Sequence, residues 1–263
     1  MCLLKLSVMA FYNGLGWIPL LLCFTAFLTL TVGYSIAVAR GDVIPFLPFI
    51  SDTAALVPES CYFGQLLNLT SFLMMICFAI RFVQVKEHLG HSNRWFLYAN
   101  HMSLYCGILS AFGASVVANF QETSVLLVHF IGAIGCFGLG AVYAFINIFL
   151  SFHLYRMRLV TKRLCVARIV LSAVVFTAFI MIFVFSSQMN GVYVFPPNVI
   201  DKNNPGYPFY ICTTISEWVL VISGFIYFST LVSEFSKIRI RLLISTETSW
   251  LSDERDSSVQ QLM

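Results

Sequence analysis

Six uninterrupted apolar runs of roughly 20 residues constrain this chain more than any other feature of its sequence. An α-helix rises about 1.5 Å per residue, so a run of about 20 residues crosses the hydrocarbon of a bilayer. Membrane-spanning strands need only about 10 residues with strict alternation, which these runs lack. We therefore predict an all-α, polytopic membrane protein, a six-transmembrane-helix bundle with spans at about 15–39, 63–83, 97–118, 124–150, 165–187 and 211–233.

The composition excludes a water-soluble fold, because only 10% of the residues are charged against about 25% in soluble domains. No linker-like stretch divides the chain, so we predict one transmembrane domain over residues 1–242 and a disordered polar tail over 243–263. The first run ends in Ala37-Val38-Ala39, which is similar to a signal-peptidase site. It is longer than the about 7 to 15 residues typical of a signal-peptide core, so we predict a retained helix; cleavage would leave five spans.

The basic residues predict the orientation of the bundle. With six spans, both termini share a side with the second and fourth loops, and that side carries most of the 15 basic residues. These are Lys5, Arg81, Lys86, Arg94, Arg156, Arg158, Lys162, Arg163, Arg168, Lys237, Arg239, Arg241 and Arg255. Only Arg40 and Lys202 lie opposite, so the positive-inside rule predicts cytosolic termini and a lumenal or extracellular first loop.

The basic residues also suggest a partner. Membrane lipids are the expected partners, and the positive charges of the fourth loop could contact anionic headgroups, although they could equally serve only to set the topology. These four residues are Arg156, Arg158, Lys162 and Arg163. No nucleic-acid partner is expected.

Small residues indicate where two helices approach closely. The third span carries Gly107, Ala111 and Ser115 at a spacing of four, and the fourth carries a similar ridge from Gly132 to Ala144. Such ridges let helix backbones pack together in lipid. A connection of about five residues joins the two spans, so we predict a tight antiparallel pair.

The segment PFLPFISDTAALVPES, residues 45–60, lies between the first two spans and combines prolines with large apolar side chains. Pro45, Pro48 and Pro58 prevent a continuous helix, while Ser51 and Thr53 can bond the backbone groups that a kinked segment leaves exposed. We predict that this segment folds over the helix ends as a lid.

Polar residues gather at the same end of the predicted bundle. His129 and Glu217 lie about five and six residues inside the fourth and sixth spans, hence at one depth below the lumenal surface. The predicted cluster comprises Asp52, Glu59, Asn68, Asn119, Gln121, His129 and Glu217. These groups could only hold the loop in place by hydrogen bonds, or they could bind a lipid headgroup or sense lumenal pH through the histidine.

No catalytic motif, metal site or cofactor fingerprint is present, so we predict a protein that is not an enzyme. Two alternatives remain. The first is a lipid-remodelling enzyme or subunit that uses Glu217 and His129. The second is a transporter or channel, for which we expect charged or helix-breaking residues near mid-membrane; none is visible.

Three segments of the chain form a distinctive set: residues 45–59 (PFLPFISDTAALVPE), residues 115–133 (SVVANFQETSVLLVHFIGA) and the ISEW of the last span. In these segments the sequence resembles the DRAM (damage-regulated autophagy modulator) family, and the resemblance extends over nearly all six spans. It implies a six-helix protein of lysosomal or endosomal membranes that promotes autophagy and is linked to apoptosis, within a wider group that includes GPI-anchor lipid remodelling factors. The residues that match the family pattern are Pro45, Pro48, Ser51, Asp52, Thr53, Pro58, Glu59, Asn119, Phe120, Gln121, His129, Glu217 and Trp218.

Overall fold

The structure is a computed structural model that describes residues 7–89, 94–189, 191–192 and 202–245. Six helices in this part of the chain are long and apolar enough to cross a membrane, which confirms the predicted fold class. They are α1 Trp17–Arg40, α2 Glu59–Leu89, α3 Arg94–Asn119, α4 Leu126–Arg156, α5 Lys162–Ser186 and α6 Tyr207–Ser229.

A short helix and a two-stranded ribbon lie at one end of the bundle. Neither element was predicted from the sequence. Helix α7 is Val232–Phe235, and β1 Ser7–Asn13 pairs antiparallel with β2 Arg239–Ser245. Because β1 precedes the first span and β2 follows the last, their pairing brings both flanks of the bundle to one end, as an even number of crossings requires. Of the predicted disordered tail, residues 246–263 lie outside the described residues.

We call the end with the strands the ribbon end. The opposite end is the loop end, because it carries the first loop, residues 41–58. Gly41 ends α1 in the left-handed conformation, with φ of +76°, and its N–H reaches the carbonyl of Val38. Glycine adopts this conformation without the strain of a Cβ, so the chain can turn directly out of the helix into the first loop.

Sequential helices are neighbours, and α1 also packs against α6, which closes the bundle. The central core joins α1, α2, α4 and α6 through Leu22, Phe78, Tyr143 and Phe228, all buried. Phe78 contacts the rings of both Tyr143 and Phe228, with centroids 4.4 and 5.4 Å apart.

Helices α3 and α4 form the tight pair that the small residues predict. A Cβ on Gly113 would lie 2.5 Å from the backbone nitrogen of Cys136 and 2.6 Å from the carbonyl oxygen of Gly132. The hydroxyl of Ser110 donates a hydrogen bond of 2.6 Å to the Cys136 carbonyl. Backbone therefore contacts backbone across this pair.

The residues of α3 that form the pair differ from those predicted. A Cβ on Gly107 would meet the ring of Phe78 on α2 at 2.7 Å, and the Ala111 carbonyl accepts the Ser71 hydroxyl of α2 at 2.6 Å. The ridge of Gly107, Ala111 and Ser115 thus faces α2. A second set of small residues, offset by two to three positions, faces α4, because α3 packs between two neighbours.

Candidate functional site

The first loop folds over the loop end and bonds to α6. The carboxylate Oε2 of Glu217 accepts the N–H of Ile50 at 2.8 Å. The indole Nε1 of Trp218 donates to the carbonyl of Pro48 at 2.9 Å. Two consecutive side chains of one membrane helix therefore hold the middle of the loop.

Further contacts fix both flanks of the first loop. The hydroxyl of Tyr34 on α1 donates to the Pro45 carbonyl at 2.6 Å, and Thr123 donates to the Ala55 carbonyl at 3.1 Å. Inside the loop, residues Asp52–Ala54 form a 3-10 turn. The hydroxyl of Thr53, within this turn, donates a hydrogen bond of 2.7 Å to the carbonyl oxygen of Ile50. As predicted for Thr53, a side chain bonds the kinked backbone, whereas the hydroxyl of Ser51 does not cap this turn.

The first loop buries only part of its apolar residues against the helix ends. Ile50 is 6% exposed and Pro48 is buried, but Phe46 is 65% exposed and Pro45 is also exposed. Pro58 ends the loop just before α2. The loop thus covers the helix ends with its middle part only.

An inner cavity of about 180 Å³ lies beneath the loop at the centre of the bundle, and all six helices contribute to its lining. Its walls are almost wholly apolar. Glu217, His129 and Ser51 line its loop end, and Tyr143 lines it further towards the ribbon end. Tyr143 is 3% exposed, and its hydroxyl bonds no other residue in the described part of the chain.

An outer cavity of about 620 Å³ adjoins the inner one and lies between α4, α5 and the start of α6. Both cavities are lined by Ser51, His129, Ala133, Phe137 and Glu217. Three apolar side chains that line the outer cavity, on α4 and α5, are about half exposed; they are Phe130 at 51%, Ile134 at 49% and Phe183 at 46%. The outer cavity therefore opens sideways towards the membrane.

His129 is held by the connection that precedes its own helix. Its Nδ1 lies 2.8 Å from the carbonyl oxygen of Phe120. A carbonyl only accepts hydrogen bonds, so this contact places a proton on Nδ1 and leaves Nε2 able to accept one in the neutral ring. The ring is buried at 6% exposure and lines both cavities.

The prediction that His129 and Glu217 share one depth rested on helix starts that the structure corrects. Helix α4 begins at Leu126, so His129 lies three residues into it, whereas α6 begins at Tyr207, so Glu217 lies ten residues into that helix. At about 1.5 Å per residue the two offsets are about 5 and 15 Å. The helices start at different heights, and this stagger is what brings both side chains to the same cavities.

The remaining polar residues of the predicted cluster lie in separate places. Asp52 is buried in the 3-10 turn at 1% exposure. Glu59 is buried at the start of α2, with Oε2 3.8 Å from Nε of Arg40, which also pairs with Asp42 at 2.9 Å. Gln121 is half-buried in the connection between α3 and α4. None of these three residues is among the described lining of the two cavities.

Asn68 and Asn119 pair with each other across α2 and α3. Their amides exchange hydrogen bonds of 3.1 and 3.0 Å, and Ser115 donates to Asn68 at 2.7 Å. Asn119 is exposed, so this pair lies on the outer face of the bundle. The structure thus separates the predicted cluster into a cavity pair, Glu217 and His129, and groups that join neighbouring elements.

A buried charged cluster at the ribbon end was missed by the sequence reasoning, which counted its arginines only as topology signals. Arg81 on α2 and Arg168 on α5 are 2% and 0% exposed, and both pair with Glu234 of α7. The Arg81 contact is 2.7 Å, from Nη1 to Oε1. The Ser151 hydroxyl of α4 accepts from both guanidinium groups, at 3.3 and 2.9 Å.

No metal site accompanies these polar residues. Within the described ranges, no three His, Cys, Asp or Glu side chains lie close enough together to hold an ion. Cys61 and Cys212, which lie near the starts of α2 and α6, are both free thiols.

The bond between Trp218 and the loop gives a first prediction. Trp218→Phe keeps an aromatic ring beside Tyr34 but leaves the Pro48 carbonyl without its donor, which is expected to weaken loop closure by about 1 kcal/mol. Hydrogen exchange measured by mass spectrometry should then rise about fivefold in peptides that cover residues 41–58. Trp17→Phe, at a site 58% exposed, is the control and should change nothing there. Equal exchange in both variants would contradict closure by this bond.

The sequence of the chain matches one protein family and several characterised proteins. Residues 14–238 match the family described as the Frag1/DRAM/Sfk1/Cwh43P N-terminal domain. The chain is 32% identical to DNA damage-regulated autophagy modulator protein 2 of Mus musculus, over 88% of both chains. It is 31% identical to DNA damage-regulated autophagy modulator protein 1 of Homo sapiens, over 91% of this chain and 98% of that one. Modulator of macroautophagy TMEM150B of Danio rerio is 32% identical over 78% of both chains. No solved structure matches the chain.

Proposed function

Since the chain belongs to the Frag1/DRAM/Sfk1 family, we propose that it is a multi-pass membrane protein that modulates autophagy by holding a membrane lipid beneath the first loop. The part of the proposal that concerns autophagy is supported by the names of three relatives, all called modulators of autophagy or macroautophagy. The part that concerns lipid is supported by the two adjoining cavities, which share five lining residues.

The sideways opening of the outer cavity is the observation that carries the lipid proposal. A soluble ligand enters a site from water, whereas this opening lies among exposed apolar side chains between α4 and α5. An acyl chain can pass through such an opening from the bilayer without crossing a polar surface. The polar groups Ser51, His129 and Glu217 then lie where the headgroup of that lipid would rest.

We propose further that the loop end faces the lumen of lysosomes or endosomes and that both termini are cytosolic. The supporting observations are the excess of basic residues at the ribbon end and the family resemblance. In this orientation the protein would take its lipid from the lumenal leaflet.

Contact with anionic lipid at the ribbon end is a separate proposal. Four basic residues in the connection between α4 and α5 and at the adjoining helix ends are all exposed, as such a contact needs. They are Arg156, Arg158, Lys162 and Arg163.

A cavity-filling variant tests the main proposal. Ala133 lines both cavities, so Ala133→Phe is expected to block the passage between them. Cross-linking to a lipid with a photoactivatable acyl chain should fall about tenfold, which corresponds to about 1.4 kcal/mol of binding free energy. Delivery of an autophagy cargo reporter to lysosomes should fall with it.

The matched control is Ala173→Phe, which adds the same ring at an exposed position of α5. It should leave both readouts at the level of the parent protein. Loss of cross-linking with unchanged cargo delivery would contradict the proposed link between lipid and autophagy. Equal cross-linking in both variants would contradict lipid binding in the cavities.

One observation favours a second candidate function, a lipid-remodelling enzyme. Ser51, His129 and Glu217 line the same cavities, and the Phe120 carbonyl holds His129 with Nε2 able to act as a base towards a hydroxyl group. Lipid analysis of membranes separates the two functions. Glu217→Gln should change a lipid product if the protein is an enzyme, and should leave lipid composition unchanged if it only binds.

A further inference from the structure

The charges around the outer cavity restrict the kind of lipid that it can hold, if the proposed lipid binding is correct. Its described lining contains two carboxylates, Glu122 and Glu217, together with His129. The same lining includes no Lys or Arg. A phosphate or carboxylate headgroup placed here would lie beside these two carboxylates.

The loop end as a whole carries more negative than positive side chains. Among the residues that the structure describes, its acidic residues are Asp42, Asp52, Glu59, Glu122 and Glu217, against two basic residues, Arg40 and Lys202. Arg40 is already paired with Asp42 and lies 3.8 Å from Glu59. Lys202 is exposed and is not among the described lining of either cavity. The field at the loop end therefore favours a cation in the headgroup position.

The polar residues that line the outer cavity also supply hydrogen-bond acceptors near Glu217. An ammonium group donates three hydrogen bonds and needs acceptors around it. Around Glu217, the hydroxyl oxygens of Ser51 and Thr213 line the same cavity. Phe49 also lines this cavity, and aromatic rings attract cations.

The size of the inner cavity limits the number of chains. A cavity of about 150 Å³ holds a benzene molecule, so about 180 Å³ accommodates the end of one hydrocarbon chain and not two. Tyr143 lines the inner cavity, and its buried hydroxyl has no hydrogen-bond partner in the described part of the chain.

We propose that the two cavities together bind a single-chain amine, a lipid with one long hydrocarbon chain and an ammonium head. The head lies between Glu217 and Glu122 beneath the first loop, and the chain runs past Phe137 into the inner cavity. Sphingoid bases have this chemistry.

Three probes with the same eighteen-carbon chain isolate the contribution of the head: stearylamine, stearyl alcohol and stearate. Each competes with the photoactivatable lipid for the purified full-length protein in detergent. We expect the amine to compete at a concentration at least about tenfold lower than the alcohol, and stearate to compete least. Butylamine, which has the head without the long chain, should not compete. Equal competition by the three long-chain probes, or stronger competition by stearate, would overturn the proposal, as would competition by butylamine.

Variants locate the charge that is responsible. In Glu217→Gln the amide oxygen can still accept the Ile50 N–H, so the loop stays attached while the charge is removed. The preference for amine over alcohol should fall about tenfold in this variant and fall also in Glu122→Gln. Glu87→Gln, at an exposed position of α2 near the ribbon end, should retain the full preference for amine over alcohol. A preference that neither cavity variant reduces would place the amine elsewhere and overturn the assignment.

The two proposals fail in different ways. If the photoactivatable lipid binds and Ala133→Phe blocks it, but the three heads compete equally, lipid binding stands and the amine assignment is wrong. If no lipid cross-links to the cavities of the parent protein, both proposals are wrong.

Discussion

Replacing Glu234 by glutamine is expected to lower the free energy of unfolding by about 3–5 kcal/mol. Glu234 is the one carboxylate that pairs with Arg81 and Arg168 within the described residues, and all three side chains are at most 4% exposed. The cluster already carries one positive charge in excess. Without the carboxylate, two guanidinium groups face each other in a low-dielectric interior, where unpaired charge is most costly.

Thermal unfolding in detergent, followed with a thiol-reactive fluorophore, measures this effect because Cys77 is fully buried until the bundle opens. A loss of about 3–5 kcal/mol should lower the midpoint by about 10 °C in a chain of this size. Glu87→Gln makes the same chemical change at an exposed position and should shift the midpoint by less than about 1 °C. Equal midpoints for Glu234→Gln and the parent would contradict the account of the cluster.

A rescue variant separates unpaired charge from a general disturbance of α7. If Arg81 and Arg168 are both replaced by methionine in the Glu234→Gln background, the buried charge disappears while much of the apolar volume of the side chains remains. Stability should return most of the way to that of the parent. A triple variant no more stable than Glu234→Gln would show that the hydrogen bonds to Ser151 and Thr230 matter more than the charges.

The second large effect concerns Gly113, at the contact between α3 and α4. Gly113→Ala adds one methyl group at a point where it would lie 2.5 Å from the backbone nitrogen of Cys136. Backbone atoms cannot rotate away, so the two helices must separate and lose the packing that holds them in lipid. We expect a loss of about 3 kcal/mol, at the upper end of the cost of overpacking.

Gly135→Ala is the matched control, because it makes the same change on the neighbouring helix. A Cβ on Gly135 meets no atom closer than the Cα of Gly113 at 4.0 Å. Alanine favours a helix over glycine, so this variant should equal the parent or exceed it by up to about 1 kcal/mol. Gly113→Ala should therefore lower the unfolding midpoint while Gly135→Ala leaves it unchanged or raises it, and a similar loss in both would contradict the packing argument.

The helices could be predicted from the sequence because each long apolar run determines its own span. Their exact starts could not, since α4 and α6 begin within polar or proline-containing segments where hydropathy changes gradually. This error mattered for Glu217, which lies ten residues into α6 rather than six into the predicted span. The residues that form the α3–α4 contact were misassigned for a related reason: small residues lie on two faces of α3, and spacing alone does not identify the partner of each face.

The association of the first loop with His129 and Glu217 was expected from their common position near one end of the bundle. The contacts themselves required the structure, because they join residues as distant in sequence as Ile50 and Glu217. Asn68 and Asn119 were expected at the same end of the bundle, but they pair on the outer face. The end of the bundle at which a residue lies is thus predictable from the sequence, whereas the direction of a side chain around its helix depends on the neighbours.

The charged cluster could have been found in the sequence. Arg81 and Arg168 each lie next to apolar residues on both sides, and Glu234 is an acid among the basic residues that follow the last span. Ionisable residues within apolar spans generally face the protein interior and pair with one another. Counting them only as topology signals concealed this pairing.

The central claim, that the connected cavities hold a lipid beneath the first loop, is tested most directly by a density map of the full-length protein purified in native lipid. The account predicts elongated density that starts beside Glu217 and His129, passes Phe137 and ends towards Tyr143, with the first loop closed over it. Cavities filled by neighbouring side chains, or a loop detached from Trp218 with no chain-shaped density below it, would contradict the account.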